Sequence, residues 1–140
     1  MKFSLLVTCY NYGSYIKEAI NSYLSQTYSD KELIIVDDCR TDKSWKIIQD
    51  YASKYPDIIA IRNAERLYCS SSYNVALKAA KGDICGILDG DDVLLPQAMN
   101  EIACRYNLYP NIMYMYTQFF WCDKKLRVLK IGVSGMSRWP

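Results

Sequence analysis

Apolar strand-like runs alternate with amphipathic helical segments along most of this chain, and no other feature restricts its fold as much. Four apolar, partly β-branched runs predict strands that are buried on both faces: 2–9, 33–37, 58–62 and 84–88. Apolar residues at helical spacing predict three helices between these strands: 16–24, 44–55 and 72–80. The alternation predicts an α/β fold, in which a mostly parallel sheet carries helices on both faces.

The last third of the sequence adds a helix and a hairpin to this pattern. Pro96 is placed to begin a helix, because the first helical residue needs no partner for an N–H group. Apolar runs at 113–120 and 127–131 flank a polar turn at 122–125 and predict a C-terminal hairpin. A length of 140 residues suits one domain with its own core, so we expect residues 1–140 to form a single domain.

Histidine is absent, which excludes every mechanism that depends on an imidazole base or metal ligand. Six cysteines are spread through the chain without a C-x-x-C pair, so we expect reduced, small and buried side chains. A formal net charge of +2, with scattered basic residues, predicts no nucleic acid partner. Because no leader or transmembrane segment is visible, we expect a cytoplasmic protein, either soluble or peripheral at the inner face of the membrane.

Polar and acidic residues follow each predicted strand. They are Thr8-Cys9-Tyr10-Asn11, Asp37-Asp38, Arg62-Asn63 and Asp89-Gly90-Asp91-Asp92. The carboxyl ends of parallel strands meet at one edge of the sheet, where α/β proteins bind ligands. Five carboxylates gathered there would repel one another unless a cation neutralised them, and oxygen ligands suit Mg²⁺ or Mn²⁺. The alternative is that these aspartates are solvated turn residues and helix caps.

Five motifs occur in order over about residues 3–96. They are Leu6-Val-Thr-Cys-Tyr-Asn-Tyr-Gly-Ser-Tyr-Ile, Leu24-Ser-Gln-Thr-Tyr, Glu32-Leu-Ile-Ile-Val-Asp-Asp-Cys, Ala79-Ala-Lys-Gly-Asp and Leu88-Asp-Gly-Asp-Asp. In this order they resemble the motifs of family 2 glycosyltransferases, which have a Rossmann-like GT-A fold. The resemblance implies a metal-dependent enzyme of cell-surface polysaccharide biosynthesis. Such an enzyme transfers a sugar, with inversion, from a nucleotide diphosphate donor to a saccharide or lipid-linked acceptor.

The same resemblance assigns roles to individual residues. Thr8 and Tyr10 would line the pocket of the nucleotide base, and Asp38 would accept a hydrogen bond from that base, with uracil the expected one. Asp89 would face the ribose or the sugar, and Asp91 would bind a Mn²⁺ or Mg²⁺ ion that bridges the phosphates. The full nucleotide-binding set that we expect is Thr8, Cys9, Tyr10, Asn11, Asp38, Arg62, Asp89 and Gly90, with Asp91 and Asp92 on the metal.

The sequence departs from the family pattern in two places. Tyr68 and Tyr73 stand where the family often has Gly and Arg. After Pro96 the only acidic side chains are Glu101 and Asp123, and both have the character of surface residues, so they are weak candidates for a catalytic base. We therefore expect the donor-binding half of an enzyme, truncated before the acceptor-binding half that would supply the base.

Two other functions are alternatives. One is a catalytically idle module that binds a nucleotide sugar. The other is a receiver-like domain that binds Mg²⁺, but that fold needs an acidic pair after its first strand, and the first strand here ends without any acid.

Overall fold

A computed structural model describes residues 1–39 and 42–132, and its centre is a four-stranded parallel sheet. The elements in chain order are β1 (Phe3–Cys9), α1 (Ile16–Leu24), β2 (Lys31–Asp37), α2 (Ser44–Ala52), β3 (Ile58–Arg62), α3 (Tyr68–Ala79), β4 (Ile84–Asp89), α4 (Ala98–Leu108), β5 (Phe119–Cys122) and β6 (Val128–Gly132). The strand order is β3-β2-β1-β4, and β5 and β6 form a separate antiparallel hairpin. The predicted α/β fold and the predicted hairpin are confirmed.

The central strands divide the core into two layers. Successive side chains of a strand point to opposite faces of the sheet. In β1, Leu5 and Val7 belong to one cluster of buried side chains, whereas Leu6 belongs to the other. The larger cluster also contains residues of α1, α2 and α4, and the smaller one contains Ala76 of α3. Helices therefore cover both faces of the sheet, as the sequence predicts.

Helix α3 begins at Tyr68 rather than at residue 72, where the sequence pattern places its start. The cause is a tertiary contact: the carboxylate of Asp38 accepts hydrogen bonds from the N–H groups of Leu67 and Tyr68. N–H groups at the start of a helix have no partner inside it, and a carboxylate there also suits the helix dipole. The end of β2 thus determines where α3 starts.

The hairpin strands differ more from the prediction than the sheet does. The first is Phe119–Cys122 instead of 113–120, and the second is Val128–Gly132 instead of 127–131. Residues 113–118 pair with no strand in the described part of the chain, so their apolar character does not make them a strand. Helix α2 also ends at Ala52 instead of residue 55, and α4 begins at Ala98 instead of Pro96.

The cysteines match the prediction only in part. All six are free thiols, and Cys9 is buried, but four are exposed: Cys69, Cys85, Cys104 and Cys122. The expected burial is therefore wrong for those four. Cys85 shows the physical reason, because it lies on β4 at the edge of the sheet, and the buried cluster under α3 contains residues of β1 and β2 but none of β4.

All helices in the described ranges are short, and α3 is the longest at 12 residues. None of them has the length and apolar character needed to cross a bilayer.

Candidate functional site

The ends of β1 and β4 form the first part of the candidate site. Thr8 and Asp89 are register partners in the parallel pair, so they lie side by side at the carboxyl edge of the sheet. Gly90 follows, and a Cβ atom there would lie 2.8 Å from the Thr8 carbonyl oxygen and 3.0 Å from the Tyr12 ring. Only glycine lets this loop pack so closely against β1. We call this surface, formed by Thr8, Asp89, Gly90, Asp91 and Asp92, the β1–β4 edge.

The three carboxylates of the β1–β4 edge are exposed. A turn holds them close together, in which the Asp92 N–H donates to the Asp89 carbonyl oxygen at 3.0 Å. Loss of hydration in the turn, followed by repulsion from Asp91 and Asp89, raises the pKa of Asp92 above its ordinary value, although the residue is exposed. Mutual repulsion of this kind favours a bound cation.

The described residues, 1–39 and 42–132, contain no group of three or more acidic or cysteine side chains arranged to hold a metal ion. The β1–β4 edge can therefore offer a cation no more than a pair of carboxylates. That number suits Mg²⁺, which commonly takes one or two carboxylates and completes its shell with water and substrate phosphates.

Asp38, at the end of β2, is only 3% exposed. Its carboxylate accepts hydrogen bonds from the Leu67 N–H at 2.7 Å, the Tyr68 N–H at 2.8 Å and the Asn63 side-chain amide at 2.8 Å. Burial alone would raise the pKa of Asp38, but these hydrogen bonds outweigh it and hold the pKa below its ordinary value. The carboxylate thus closes the start of α3, and its contact with a nucleotide base stays a prediction.

Asp37, at the end of β2, forms an ion pair with Arg62, at the end of β3. Asp37 is fully buried, and Arg62 Nε lies 3.2 Å from its carboxylate. The Arg62 guanidinium also lies over the Trp45 ring, 5.5 Å from the ring centroid. Since β3 and β4 are the two outer strands, their ends are three strand spacings apart, about 14 Å. The five carboxylates and Arg62 follow strand ends at the same edge of the sheet, but Asp37 and Asp38 are buried with partners inside the protein, so only Asp89, Asp91 and Asp92 remain exposed carboxylates there.

An aromatic stack borders the β1–β4 edge, where Tyr10 follows β1. The Arg66 guanidinium lies 3.9 Å from the centroid of the Tyr10 ring and 4.3 Å from that of Tyr68. Tyr68 has a φ angle of 63°, in the left-handed region that bulky residues rarely adopt. Arg66 carries no signal in the sequence, because its contact with Tyr10 joins residues far apart along the chain.

Tyr73 is a second residue whose place the sequence does not show. Its hydroxyl donates to Asp89 Oδ1 at 2.8 Å and lies 3.2 Å from the Leu88 carbonyl oxygen. Burial raises the pKa of Tyr73, and the neighbouring Asp89 raises it further against an opposing effect of Thr8, so the hydroxyl keeps its proton at neutral pH.

Gln26 holds the segment that follows the acidic turn. It is 5% exposed, and its side-chain amide donates to the carbonyl oxygens of Ser22 at 2.9 Å and Leu95 at 2.8 Å. Its side-chain oxygen accepts a hydrogen bond from the Met99 N–H at 3.1 Å. The second of the five sequence motifs is therefore structural, because it ties the end of α1 to the chain beyond Asp92.

The remaining predicted residues lie apart from the three exposed carboxylates or have other partners. Cys9 is fully buried, and burial raises the pKa of its thiol to about 11, while the predicted nucleotide contact of this residue stays a prediction. Asn11 is exposed in the loop after β1, with a φ angle of 64°. Of the two candidate bases, Glu101 is exposed in the first turn of α4. Asp123 accepts hydrogen bonds from Nε and Nη2 of Arg127, both at 2.6 Å.

Comparison with solved structures places this fold among the GT-A glycosyltransferases. TarS of Staphylococcus aureus is a poly(ribitol-phosphate) β-N-acetylglucosaminyltransferase. Its residues 1–349, solved with UDP, match with a TM-score of 0.73 and 30% identity, over 79% of this chain and 33% of that one. The complex of the same protein with UDP-GlcNAc also matches with a TM-score of 0.73.

The chain belongs to glycosyl transferase family 2, whose family model matches residues 4–128. An uncharacterized glycosyltransferase of Nostoc sp. is 38% identical over 103 residues, which are 74% of this chain and 32% of the relative. The uncharacterized glycosyltransferase EpsJ of Bacillus subtilis is 43% identical over 89 residues, which are 64% of this chain and 26% of the relative. The chain thus spans about a third or less of the length of these relatives.

Proposed function

We propose that this chain binds a nucleotide diphosphate sugar with a uridine base and forms the donor-binding half of an inverting glycosyltransferase. The observation that carries the proposal is the close approach of β1 and β4, in which Gly90 packs on Thr8 while the neighbouring carboxylates stay exposed. The complexes of TarS with UDP and UDP-GlcNAc support a uridine donor, since 79% of this chain matches TarS at 30% identity.

Asp91 and Asp92 are the residues that would hold a Mn²⁺ or Mg²⁺ ion. Both are exposed carboxylates, the ligand type that these hard cations prefer, and with Asp89 they repel one another when no cation is present. A bound ion would neutralise the charge that develops on the leaving diphosphate.

The other residues of the site would bind the donor. Thr8 and Tyr10 would line the pocket of the nucleotide base, and Asp89, at the end of the neighbouring strand β4, would face the ribose or the sugar. Inversion requires that the acceptor hydroxyl, on a saccharide or a lipid-linked saccharide, attacks the anomeric carbon opposite the leaving diphosphate. A base must take the proton of that hydroxyl.

We propose that residues 1–140 form one donor-binding domain and that the base comes from outside it. Among the described residues, Asp123 is bonded to Arg127 in the hairpin turn and Glu101 is exposed on α4. A cytoplasmic location, with or without contact to the inner face of the membrane, stays a prediction.

The engagement of Asp123 by Arg127 also favours the second candidate, a module that binds a nucleotide sugar without turning it over. The two candidates differ in one measurement, the slow release of UDP from UDP-GlcNAc to water in Mn²⁺, which the donor-binding half of an enzyme would still catalyse without its base. The idle module binds the donor and releases no UDP above the rate without protein. The receiver alternative is wrong, because the chain belongs to a glycosyltransferase family.

Calorimetric titration with UDP tests the donor site. We expect binding in Mn²⁺, and affinity about 100-fold weaker in EDTA or in Asp91→Ala, because the diphosphate charge then lacks its counterion. Asp50→Ala is the matched control, since Asp50 is exposed on α2 and its loss should not change the affinity. Equal binding in EDTA, or by Asp91→Ala, would contradict the metal role, and a wild-type chain that binds no nucleotide diphosphate would contradict the proposal.

A further inference from the structure

We propose that Tyr73 is a positioning residue for donor binding, whose hydroxyl fixes the orientation of the Asp89 carboxylate at the β1–β4 edge. The inference deepens the proposed function and rests on it. Three elements meet near this hydroxyl, because α3 carries Tyr73, β4 ends at Asp89, and Thr8 of β1 is the register partner of Asp89.

The bond from Tyr73 to Asp89 is the shorter of the two that its hydroxyl could donate. Asp89 Oδ1 lies at 2.8 Å, and the Leu88 carbonyl oxygen lies at 3.2 Å. A hydroxyl has a single proton to donate, and a charged acceptor gives the stronger bond. Thr8 is the register partner of Asp89, so this bond lies where α3 meets the ends of β1 and β4.

The ring that carries this hydroxyl is held in place by packing. Tyr73 lies against the buried cluster that contains Leu6, Val36 and Ala76. The start of α3 is anchored in turn by the hydrogen bonds to Asp38. Because both the ring and its helix are held, the hydroxyl has a defined position relative to the end of β4.

Asp89 is exposed, and an exposed aspartate ordinarily exchanges between side-chain rotamers. Ordering such a side chain when a ligand binds costs conformational entropy. A hydroxyl that holds one rotamer before the donor arrives removes part of that cost, which is the effect called preorganisation. Phenylalanine at position 73 would keep the packing and lose this bond.

The test is a double-mutant cycle on the affinity for UDP in Mn²⁺, with Tyr73→Phe, Asp89→Ala and the double variant. We expect Tyr73→Phe to bind UDP about tenfold more weakly, the size of one hydrogen bond to a charged group. Because Tyr73 acts through Asp89, the double variant should bind no more weakly than Asp89→Ala alone. A purely structural role of Tyr73 would not produce that non-additivity.

Tyr51→Phe is the matched control. The Tyr51 hydroxyl donates to Asn21 Oδ1 at 2.9 Å between α2 and α1, so this variant loses a comparable bond away from the site, and we expect its affinity to stay unchanged. A second measurement needs no ligand: the carboxylate ¹³C resonance of Asp89 should shift in Tyr73→Phe and not in Tyr51→Phe.

Unchanged affinity in Tyr73→Phe, an additive loss in the double variant, or an unshifted Asp89 resonance would overturn this inference and leave the proposed function intact. A wild-type chain that binds no UDP would overturn the proposed function and the inference together.

Discussion

Two acidic pairs follow strands of the parallel sheet, and their surroundings are opposite. Asp37 and Asp38, after β2, are 0% and 3% exposed, whereas Asp89 and Asp91, after β4, are exposed. The first pair bonds to Arg62 and to the N–H groups at the start of α3. The second pair lies in a turn where the carboxylates repel one another.

The difference comes from the position of each strand in the sheet. β2 is an inner strand with neighbours on both sides, so the elements that follow β2 and β3 close over its end. β4 is an outer strand, and its end stays open. An aspartate covered by protein donors stabilises the fold, whereas an exposed one remains available to a ligand. Aspartates at the ends of two strands of the same parallel sheet therefore have opposite surroundings.

The strongest way to break this comparison is to remove one carboxylate from each pair. Asp38→Ala should lower the free energy of unfolding by about 2–3 kcal/mol, because the Asn63 amide and two N–H groups of α3 lose their acceptor. Asp91→Ala should change it by less than about 0.5 kcal/mol, as expected for an exposed residue. Urea denaturation in EDTA measures both, and equal losses would contradict the division between the two pairs.

A smaller effect on the free energy of unfolding is expected at Tyr68, the first residue of α3, whose N–H donates to Asp38. Tyr68 has a φ angle of 63°, which costs a residue with a side chain about 1 kcal/mol relative to glycine. Tyr68→Gly and Tyr68→Ala both lose the contact with Arg66, so their difference isolates the backbone. We expect the glycine variant to be about 1 kcal/mol more stable in urea denaturation. An alanine variant of equal stability would show that the backbone there is not strained.

The smallest effect concerns pH, and it has opposite signs at Asp38 and at Asp92, the third carboxylate of the β1–β4 edge. The lowered pKa of Asp38 gives stability that is present above the ordinary value of 3.8 and is lost as pH falls through the lowered value. The pKa of Asp92 is raised, so ionising this carboxylate destabilises the fold. The fold therefore loses stability as pH rises from 3.8 through the raised pKa of Asp92. Asp92→Asn in EDTA should therefore raise the free energy of unfolding by about 0.5 kcal/mol at neutral pH. Urea denaturation from pH 3.8 to neutral pH measures this difference. An Asp92→Asn variant less stable than wild type at neutral pH would contradict the prediction.

Much of the fold was predictable because strands and helices impose a local period on apolar residues. The third strand lies at Ile58–Arg62, as its apolar run predicts, and the four parallel strands and flanking helices follow the same logic. Part of the site was predictable too. Thr8 and Asp89 end neighbouring parallel strands, as their places after two apolar runs predict. Gly90 follows Asp89 and packs closely on Thr8.

The sequence by itself determined the order of elements, the edge of the sheet where polar residues collect and the family to which the chain belongs. Only the tertiary structure decided which aspartates are buried, where α3 begins and what Tyr73 contacts. The bond from Tyr68 to Asp38 spans 30 positions and the bond from Tyr73 to Asp89 spans 16. Periodicity reports only neighbours within a turn or a strand, whereas burial of a charge depends on donors that the fold brings from elsewhere in the chain.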